Sequence, residues 1–347
     1  MLKIGLLIPR EGPAGIWGAS CEASAMLAVA ELNVSGGLLG REVGLIVVDA
    51  GSTAQSAAAA TSSVVDLDRV EAVVAMVPSS GRRPILEELG GRVPFIYTPQ
   101  FEGDENARGV ITIGESAAEL LAPGIAWLTE QKCASRFFLI GNDYLWPSQS
   151  MVRARGLIID HGGTIVGEAK LPFGVEDHEQ LLSQIKRARP HVVISWLLGH
   201  EAIVFNRAFA ASGLAARVLR FSTAIDETIL YGIGADCTEN LYVSSAYFSS
   251  IRSGNNEAFL ERYHQFFGET PPPANGFGES LYEGIHCLGG LVKAANSLML
   301  SDLRRKVGRA AQSRTARSAE REILAGTARK VYMAAVDGCD FRLIDPG

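Results

Sequence analysis

The chain has 347 residues, of which 47% are hydrophobic and 20% are charged. This composition excludes an intrinsically disordered chain, and the length suits two domains of ordinary size. The formal net charge of −6 provides no general attraction to nucleic acid or to an anionic membrane surface. No stretch reaches the ~18 uninterrupted apolar residues of a membrane span. We therefore expect no nucleic-acid partner and no membrane-embedded segment.

The cysteines and the first residues bear on the compartment. Five cysteines are dispersed along the chain without paired spacing, which is typical of a reducing compartment rather than of a disulfide framework. The first residues show no long apolar segment followed by a small-residue cleavage site. These features predict a cytoplasmic protein. The alternative is a periplasmic protein whose signal peptide has been removed.

Short β-branched strands alternate with alanine-rich amphipathic stretches, which is the pattern of β-α units on a parallel sheet. Gly36-Gly37 ends the first helix, because glycine accepts the left-handed conformation of a helix exit. The first series is predicted as strand 3–9, helix 17–34, strand 42–49, helix 53–67, strand 71–77, helix 82–89, and strands 94–97 and 110–113.

A second series of similar size follows, and then two long helices and a terminal hairpin about Asp337-Gly338. The predicted elements are helix 117–130, strand 136–140, helix 147–161, strand 164–168, helix 177–188, strand 192–196, helix 201–212, strands 217–222 and 241–246, helices 256–267 and 279–299, and hairpin strands 330–336 and 341–344.

The two series predict an α/β fold of two doubly wound parallel-sheet lobes. The second series already supplies a full sheet, so we expect the late helices to return to the first lobe. The chain would then cross between the lobes three times and form a hinge that permits closure. The predicted lobes are 1–117 with 248–326, and 118–247 with 327–347.

The sequence contains none of the common catalytic or cofactor motifs. It has no P-loop and no nucleophile elbow, and the six histidines show no metal-ligand spacing. We therefore expect no metal and no cofactor. If the chain is an enzyme, Asp143 and His200, which follow predicted strands, are the candidates for a general base. The absence of motifs favours a binding protein.

Ligands of parallel α/β sheets bind beyond the carboxyl ends of the strands, so the segments after the strands hold the candidate residues. Ser79 and Ser80 follow the strand at 71–77, where two hydroxyls and the amides of a helix start suit a carboxylate or an amide carbonyl. The alternative is a serine that only caps the helix. Tyr97 and Thr98 stand at the end of the next strand.

The second series offers aromatic and hydroxyl candidates at the same kind of position. Tyr144 and Trp146 follow the strand at 136–140 and suit the wall of a small pocket. The alternative is that they pack the start of the next helix. Thr223 follows the strand at 217–222 and offers a hydroxyl to a ligand, although a role in a turn is an equal alternative.

Three segments together resemble a known family. Residues 33–41 read N-x-x-G-G-x-x-G-R and precede a valine-rich strand that ends at Asp49; the other two segments are 141–147 and 246–250. With these segments, the chain from residue 1 to about residue 299 resembles the type I periplasmic-binding-protein-like family. The resemblance is to the branch of branched-chain amino acid, urea and short-chain amide receptors.

The resemblance implies ligand contacts in both series. It also implies an acidic residue for the α-ammonium group of an amino-acid ligand, and Asp226 lies in the corresponding neighbourhood. The implied contact residues are Ser79, Tyr97, Tyr144, Trp146 and Thr223, with Asp226 left open.

The expected function is that of a non-enzymatic clamshell receptor for a short amide, urea or an amino-acid-like compound. Its partner would be an ABC permease, to which it delivers solute, or a cytoplasmic regulatory protein, to which it reports solute. The alternatives are an enzyme acting on a small amide and a sugar-binding regulatory domain. A sugar site needs several Asp, Asn and Arg side chains, and the strand ends are poor in them.

The segment 303–330 is rich in arginine and differs from the usual late segment of the family. Its arginines predict either a surface for a partner or a solvated helix face. These arginines are Arg304, Arg305, Arg309, Arg314, Arg317 and Arg321.

Overall fold

The computed structural model of the chain describes residues 1–103, 107, 109–312, 315–318 and 322–344. The chain divides into two compact units, Met1–Glu115 with Arg252–Arg329 and Ser116–Ile251 with Lys330–Gly347.

The described residues contain eleven α-helices and twelve strands. The strands are β1 Leu2–Ile8, β2 Val43–Asp49, β3 Ala72–Ala75, β4 Phe95–Tyr97, β5 Val110–Thr112, β6 Arg136–Asn142, β7 Thr164–Leu171, β8 Val192–Trp196, β9 Leu219–Ser222, β10 Leu241–Ser245, β11 Tyr332–Asp337 and β12 Asp340–Ile344. The helices are α1 Gly18–Val34, α2 Ala54–Asp66, α3 Ser79–Leu89, α4 Ala117–Lys132, α5 Leu145–Asp160, α6 Glu179–Ala188, α7 His200–Ala211, α8 Glu227–Ile233, α9 Gly254–Phe267, α10 Gly276–Ala295 and α11 Leu300–Arg304.

The first unit is built on a parallel sheet with the strand order β2-β1-β3-β4-β5. Strand β3 is an uninterrupted apolar run, Ala72–Ala75, and all four of its residues are buried. Such a run is typical of a parallel strand that is covered by helices on both faces. The core on one face of this sheet joins Leu7, Val73 and Phe95 to α2 and α3 through Val64 and Ile85.

Helices α1 and α10 of the first unit pack side by side and run in the same direction. A Cβ atom added to Gly278 would lie 3.0 Å from the carbonyl oxygen of Ser20, and one added to Gly289 would lie 2.8 Å from Leu32. The partner positions rise together along both helices, so their carboxyl ends lie at the same end of the pair.

The second unit has a sheet with the order β12-β11-β10-β9-β8-β6-β7. Strands β6 to β10 are parallel, while β11 and β12 form an antiparallel hairpin that pairs with β10. The hydrophobic core on one face includes Phe137, Ile194 and Phe221 from the strands and Ile125 and Ile158 from helices α4 and α5. The prediction of an α/β fold with two doubly wound sheets is confirmed.

Several element boundaries differ from the predictions. Helix α3 begins at Ser79 rather than at residue 82, and α10 spans Gly276–Ala295 rather than 279–299. Strand β7 continues to Leu171, and helices α8 and α11 were not predicted. The side chain of Asn275 explains the early start of α10, because it accepts a hydrogen bond from the Gly278 amide at 2.8 Å.

Both predictions for Arg317 are wrong, since it lies neither on a solvated helix face nor on a surface. Its side chain is 1% exposed, and its Nη1 lies 2.5 Å from Glu115 Oε1. Its Nε lies 2.7 Å from Glu279 Oε2, and its Nη2 pairs with Glu283. A buried guanidinium needs such partners, because an unpaired charge is costly to remove from water.

The other arginines of this segment differ from Arg317. Arg304, Arg305 and Arg309 are exposed, and Arg305 pairs with Asp302. Only Arg304 belongs to a helix, so the predicted helix face is wrong for Arg305 and Arg309. Arg314 and Arg321 lie outside the described residues.

Candidate ligand-binding site

In the first unit, Ser79 stands in the first turn of α3, just beyond the carboxyl end of β3. It is 4% exposed, and among the described residues its hydroxyl oxygen has no hydrogen-bond partner. The first turn of a helix also carries amide groups that the helical ladder leaves open, and the helix dipole favours negative charge there. This position is therefore suited to an anionic or carbonyl oxygen. Ser80, the neighbouring candidate, is exposed.

The next two candidates are tied to the backbone of the same sheet. The Tyr97 hydroxyl donates a hydrogen bond to the Val77 carbonyl at 2.9 Å, and the Thr98 hydroxyl donates to the Ala75 carbonyl at 3.1 Å. Both side chains are buried. These bonds hold the ends of β3 and β4 together, and they use the hydroxyl protons of both residues.

An ion pair that sequence reasoning missed lies against the ring of Tyr97. Arg82 Nη2 is 2.8 Å from Glu102 Oε2, and both side chains are about nine-tenths buried. The guanidinium carbon of Arg82 lies 4.9 Å from the centre of the Tyr97 ring. Arg82 is three residues after Ser79 on α3, so this ion pair lies near the beginning of that helix.

In the second unit, a buried hydrogen bond joins the carboxyl ends of β6 and β8. Asn142 Oδ1 accepts a hydrogen bond from the Leu198 amide at 2.8 Å. This bond fixes the segment that carries the two predicted aromatic residues. Asp143 and His200, the candidates for a general base, are both exposed at these strand ends.

The two aromatic candidates differ in their surroundings. Trp146 is 4% exposed and belongs to the hydrophobic core of the second unit, in the first turn of α5. Its packing therefore matches the alternative stated for it, that of a residue that packs the helix start. Tyr144 is half-buried and lies between Trp146 and Phe173, with ring centres 6.3 Å and 5.6 Å away.

Thr223 and Asp226 follow the end of β9 and are both buried. Asp226 is the N-cap residue of α8, and its Oδ1 accepts a hydrogen bond from the Ile229 amide at 3.1 Å. The carboxylate of Asp226 thus has a structural role at the beginning of a short helix.

Glu227, the residue after Asp226, is an acidic residue that sequence reasoning did not select. It is 4% exposed, and its Oε1 accepts a hydrogen bond from the Ser249 amide at 2.6 Å. Its Oε2 is buried and has no hydrogen-bond partner among the described residues. Burial raises the pKa of Glu227 to about 7, and the neighbouring charge of Asp226 adds to this shift.

A buried carboxylate oxygen without a donor is energetically costly, so this position suits a group that supplies one. Glu227 belongs to the segment between β9 and α8 that the sequence marked as a strand end. It differs from Asp226 in its contacts: Asp226 caps α8, whereas Glu227 accepts a hydrogen bond from the Ser249 amide. The first unit thus has a buried hydroxyl at a helix start that suits an anionic or carbonyl oxygen, and the second unit has a buried carboxyl group that suits a cation or a hydrogen-bond donor.

The described residues contain no helix that is both long enough and apolar enough to cross a membrane. Among the same residues, no group of three or more His, Cys, Asp or Glu side chains is arranged to hold a metal ion.

Comparison with known proteins defines the class. A family model described as periplasmic binding protein matches residues 1–320. The Leu/Ile/Val-binding protein BraC3 of Rhizobium johnstonii is 27% identical over 247 residues, which cover 69% of this chain and 63% of that protein. The chain thus matches less than two thirds of the length of this relative.

Two solved structures share the fold. The branched-chain amino acid transporter substrate-binding protein LivJ of Streptococcus pneumoniae, in complex with isoleucine, has a TM-score of 0.85 at 18% identity and covers 99% of both chains. A solute-binding protein of an ABC transporter from Rhodopseudomonas palustris HaA2, in complex with p-hydroxybenzoic acid, has a TM-score of 0.87 at 18% identity; the match covers 99% of this chain and 95% of that one.

The chain belongs to the periplasmic binding protein family. The predicted family is confirmed, although the match extends to residue 320, beyond the predicted limit near residue 299. The prediction of a non-enzymatic solute-binding receptor is confirmed at the level of this family.

Proposed function

We propose that the protein binds an α-amino acid with an apolar side chain. Ser79 and the amino end of α3 in the first unit suit the carboxylate of such a ligand, and Glu227 in the second unit suits its ammonium group. The observation that carries this proposal is the buried, unpartnered carboxylate oxygen of Glu227.

The carboxylate end is supported by two independent properties of α3. The Ser79 hydroxyl is buried and has no partner among the described residues, and the first turn of an eleven-residue helix offers amide donors and a positive dipole end. A carboxylate can accept hydrogen bonds from several of these donors at once. Its negative charge is also stabilised more strongly by the helix dipole than a neutral amide carbonyl is.

The ammonium end is supported by charge and by hydrogen-bonding capacity. An ammonium group supplies three donors and no acceptor, which suits a carboxylate that already accepts one bond from Ser249. The positive charge of the ligand would also keep Glu227 ionised at neutral pH. An aromatic acid such as p-hydroxybenzoic acid carries no such group.

The apolar side chain is inferred from the relatives. The first relative named above is a Leu/Ile/Val-binding protein, and the LivJ structure contains isoleucine. Neither of these names supports the amide or urea ligands that the sequence suggested. We therefore rank leucine, isoleucine and valine above short amides and urea.

The same relatives support a proposal for the partner and for the compartment. We propose that the protein delivers its ligand to an ABC permease and that it works in the periplasm, because its family is described as periplasmic and the related structures are transporter components. The relatives named above offer no support for a cytoplasmic regulatory partner or a cytoplasmic location.

A ligand panel tests the proposal. The melting temperature of the protein is measured with L-leucine, p-hydroxybenzoate, acetamide and urea, each over a concentration series. We expect stabilisation by L-leucine alone, reaching about 2.7 kcal/mol at ~100 times its dissociation constant. Stabilisation by p-hydroxybenzoate, acetamide or urea with no response to L-leucine would contradict the proposal.

A further inference from the structure

The loop 172–178 connects β7 to α6 in the second unit. Because β7 is parallel to β6, the loop lies at the same edge of the sheet as Tyr144, which follows β6. The loop carries Phe173, whose ring centre lies 5.6 Å from that of Tyr144, one of the candidate contact residues. Phe173 is 46% exposed and therefore forms part of the surface beside Tyr144.

Few hydrogen bonds hold this loop in place. The Gly174 amide donates to Glu201 Oε1 at 3.0 Å. In the described part of the chain, this is the only hydrogen bond that residues 172–176 make to another element. Glu201 is 5% exposed and stands in the first turn of α7, where the helix dipole favours its carboxylate. The position of the loop therefore depends on the direction in which this carboxylate points.

His178, the last residue of the loop, is buried without polar contacts for its ring. It is 3% exposed and meets the ring of Phe205 edge-on, with ring centres 5.5 Å apart. Among the described residues, neither Nδ1 nor Nε2 has a hydrogen-bond partner. Its backbone carbonyl accepts a hydrogen bond from the Leu182 amide of α6 at 2.8 Å. The imidazole is thus held in place by the backbone and by Phe205, with no acceptor for a second proton.

A proton on His178 creates a buried positive charge. The charged groups that act on the ring are Glu201 of α7 and Asp177 of the loop itself, but burial outweighs them and lowers the pKa of His178 below its ordinary 6.5. An imidazolium needs acceptors for two N–H groups. Either the Glu201 carboxylate turns towards the ring and leaves the Gly174 amide, or the ring moves out to water. In both cases the loop loses a contact that holds it.

We propose that His178 and Glu201 form a proton-sensitive latch, which holds the loop 172–178 against Tyr144 at neutral pH and releases it in acid. Release takes the ring of Phe173 away from Tyr144 and weakens the binding of an apolar amino acid. The effect on the ligand rests on the proposed function. The latch itself consists of residues of the second unit and can be measured without a ligand.

Proton binding sets the direction of the response. In the released loop His178 is exposed and its pKa returns to 6.5, whereas in the held loop the pKa is lower. Release therefore takes up a proton and is favoured as the pH falls below 6.5. Between pH 7.5 and pH 5.5, the equilibrium constant for release should rise by up to about tenfold.

Hydrogen exchange of the Gly174 amide, followed by NMR on protein labelled with ¹⁵N-glycine, tests the latch without ligand. After correction for the intrinsic exchange rate, its protection factor in the wild type should fall about three- to tenfold from pH 7.5 to pH 5.5. In His178→Gln it should stay constant. His264→Gln, at an exposed position of α9, is the control and should keep the wild-type response. A constant protection factor in the wild type, or the same fall in His178→Gln, would overturn the proposal.

Two further variants keep the test decisive if His178→Gln does not fold. His178→Phe retains an aromatic ring against Phe205 and cannot titrate, so its Gly174 protection should be independent of pH. Glu201→Leu removes the acceptor, so the Gly174 amide should lose its protection at every pH. If protection persists in Glu201→Leu, this hydrogen bond does not hold the loop and the proposal fails.

Titration calorimetry with L-leucine measures the effect on the solute site. Glu227 also makes binding depend on pH, so the quantity compared is the ratio of the affinities of the wild type and His178→Phe at each pH. The ratio should fall at least about threefold from pH 7.5 to pH 5.5, because only the wild type releases the loop. A constant ratio would overturn the proposed regulation. If L-leucine does not bind at any pH but Gly174 protection still depends on His178, the proposed function fails and the latch stands.

Discussion

Arg317 organises the largest group of buried charges in the described part of the first unit. It faces Glu115, Glu279 and Glu283, and Arg329 lies 2.9 Å from Glu283 Oε1. Burial raises the pKa values of Glu115 and Glu279, whereas Arg317 and Arg329 outweigh burial and lower that of Glu283. The burial of these carboxyl groups therefore depends on the positive charges of Arg317 and Arg329.

Arg317→Met should lower the free energy of unfolding by about 3 kcal/mol, because it leaves buried carboxylates with Arg329 as their remaining cation. Urea denaturation at pH 7 measures the change. Arg305→Met is the matched control: Arg305 is exposed and pairs with Asp302 on the surface, so its loss should cost less than ~1 kcal/mol. Equal losses for the two variants would refute the role given to the buried group.

Glu227 makes stability depend on pH. Its pKa is about 7 in the folded chain against 4.5 ordinarily, so the folded state retains a proton that the unfolded state has lost between these values. The stabilisation by this proton is complete below pH ~4.5 and is lost as the pH rises through ~7.

Glu227→Gln removes this dependence, because the amide stays neutral and still accepts a hydrogen bond from Ser249. The stability of this variant relative to the wild type should rise by about 2 kcal/mol between pH 5 and pH 8, measured by urea denaturation without ligand. Glu257→Gln, at an exposed position of α9, should show no such trend. A constant difference between Glu227→Gln and the wild type across this range would show that Glu227 is ionised at pH 5.

The distinction between Asp226 and Glu227 could not be predicted from the sequence. The strand end, the turn and two adjacent acidic residues were all visible, and the family resemblance favoured an acid in this neighbourhood. Which acid caps α8 depends on where the helix begins, since the residue before the first turn is the one that can bond to the Ile229 amide. Helix α8 was not predicted, so the capping role of Asp226 was not visible either.

At the scale of single helices, glycines show how closely elements approach. A Cβ atom on Gly124 of α4 would lie 2.1 Å from Cζ of Phe221, whose ring is fully buried. A Cβ atom on Gly156 of α5 would meet nothing within 4 Å. The two glycines occupy helix interiors of the same unit but have opposite steric surroundings.

Gly124→Ala should therefore destabilise the protein by about 1–3 kcal/mol, because the gain in helix propensity is outweighed by the clash with Phe221. Gly156→Ala should stabilise it by about 0.5–1 kcal/mol, since alanine is a better helix former and has room. Thermal unfolding of both variants shows whether each substitution lowers or raises the stability. Stabilisation by both would show that α4 can move away from β9 without cost.

The boundaries of α10 show that local sequence patterns do not predict where a helix begins and ends. The prediction began the helix at residue 279 and ended it at residue 299. The structure begins it at Gly276, capped by Asn275, and Gly278 is needed where α10 approaches Ser20. The helix ends at Ala295, and the next residue, Asn296, adopts a left-handed conformation with φ 49°. The apolar pattern identified the helix but not its ends.

At the scale of the whole chain, the order of elements and the class of fold were predictable from sequence. Alternating strands and helices specify doubly wound sheets, because parallel strands need crossover connections. The pairing of Glu115 with Arg317 was not predictable. The two residues are 202 positions apart, and only the folded chain shows that a charge-rich segment is partly buried.

The central claim is that the binding of L-leucine depends on Ser79 and on Glu227. Titration calorimetry with L-leucine on the wild type, Ser79→Ala, Glu227→Gln and the double variant measures it most directly, with Ser80→Ala as the control. We expect each single variant to lose about tenfold or more in affinity. L-Alaninol lacks the carboxylate. We therefore expect its affinity to be unchanged in Ser79→Ala and reduced in Glu227→Gln. Unchanged L-leucine affinity in both single variants, or the same loss in Ser80→Ala, would contradict the claim.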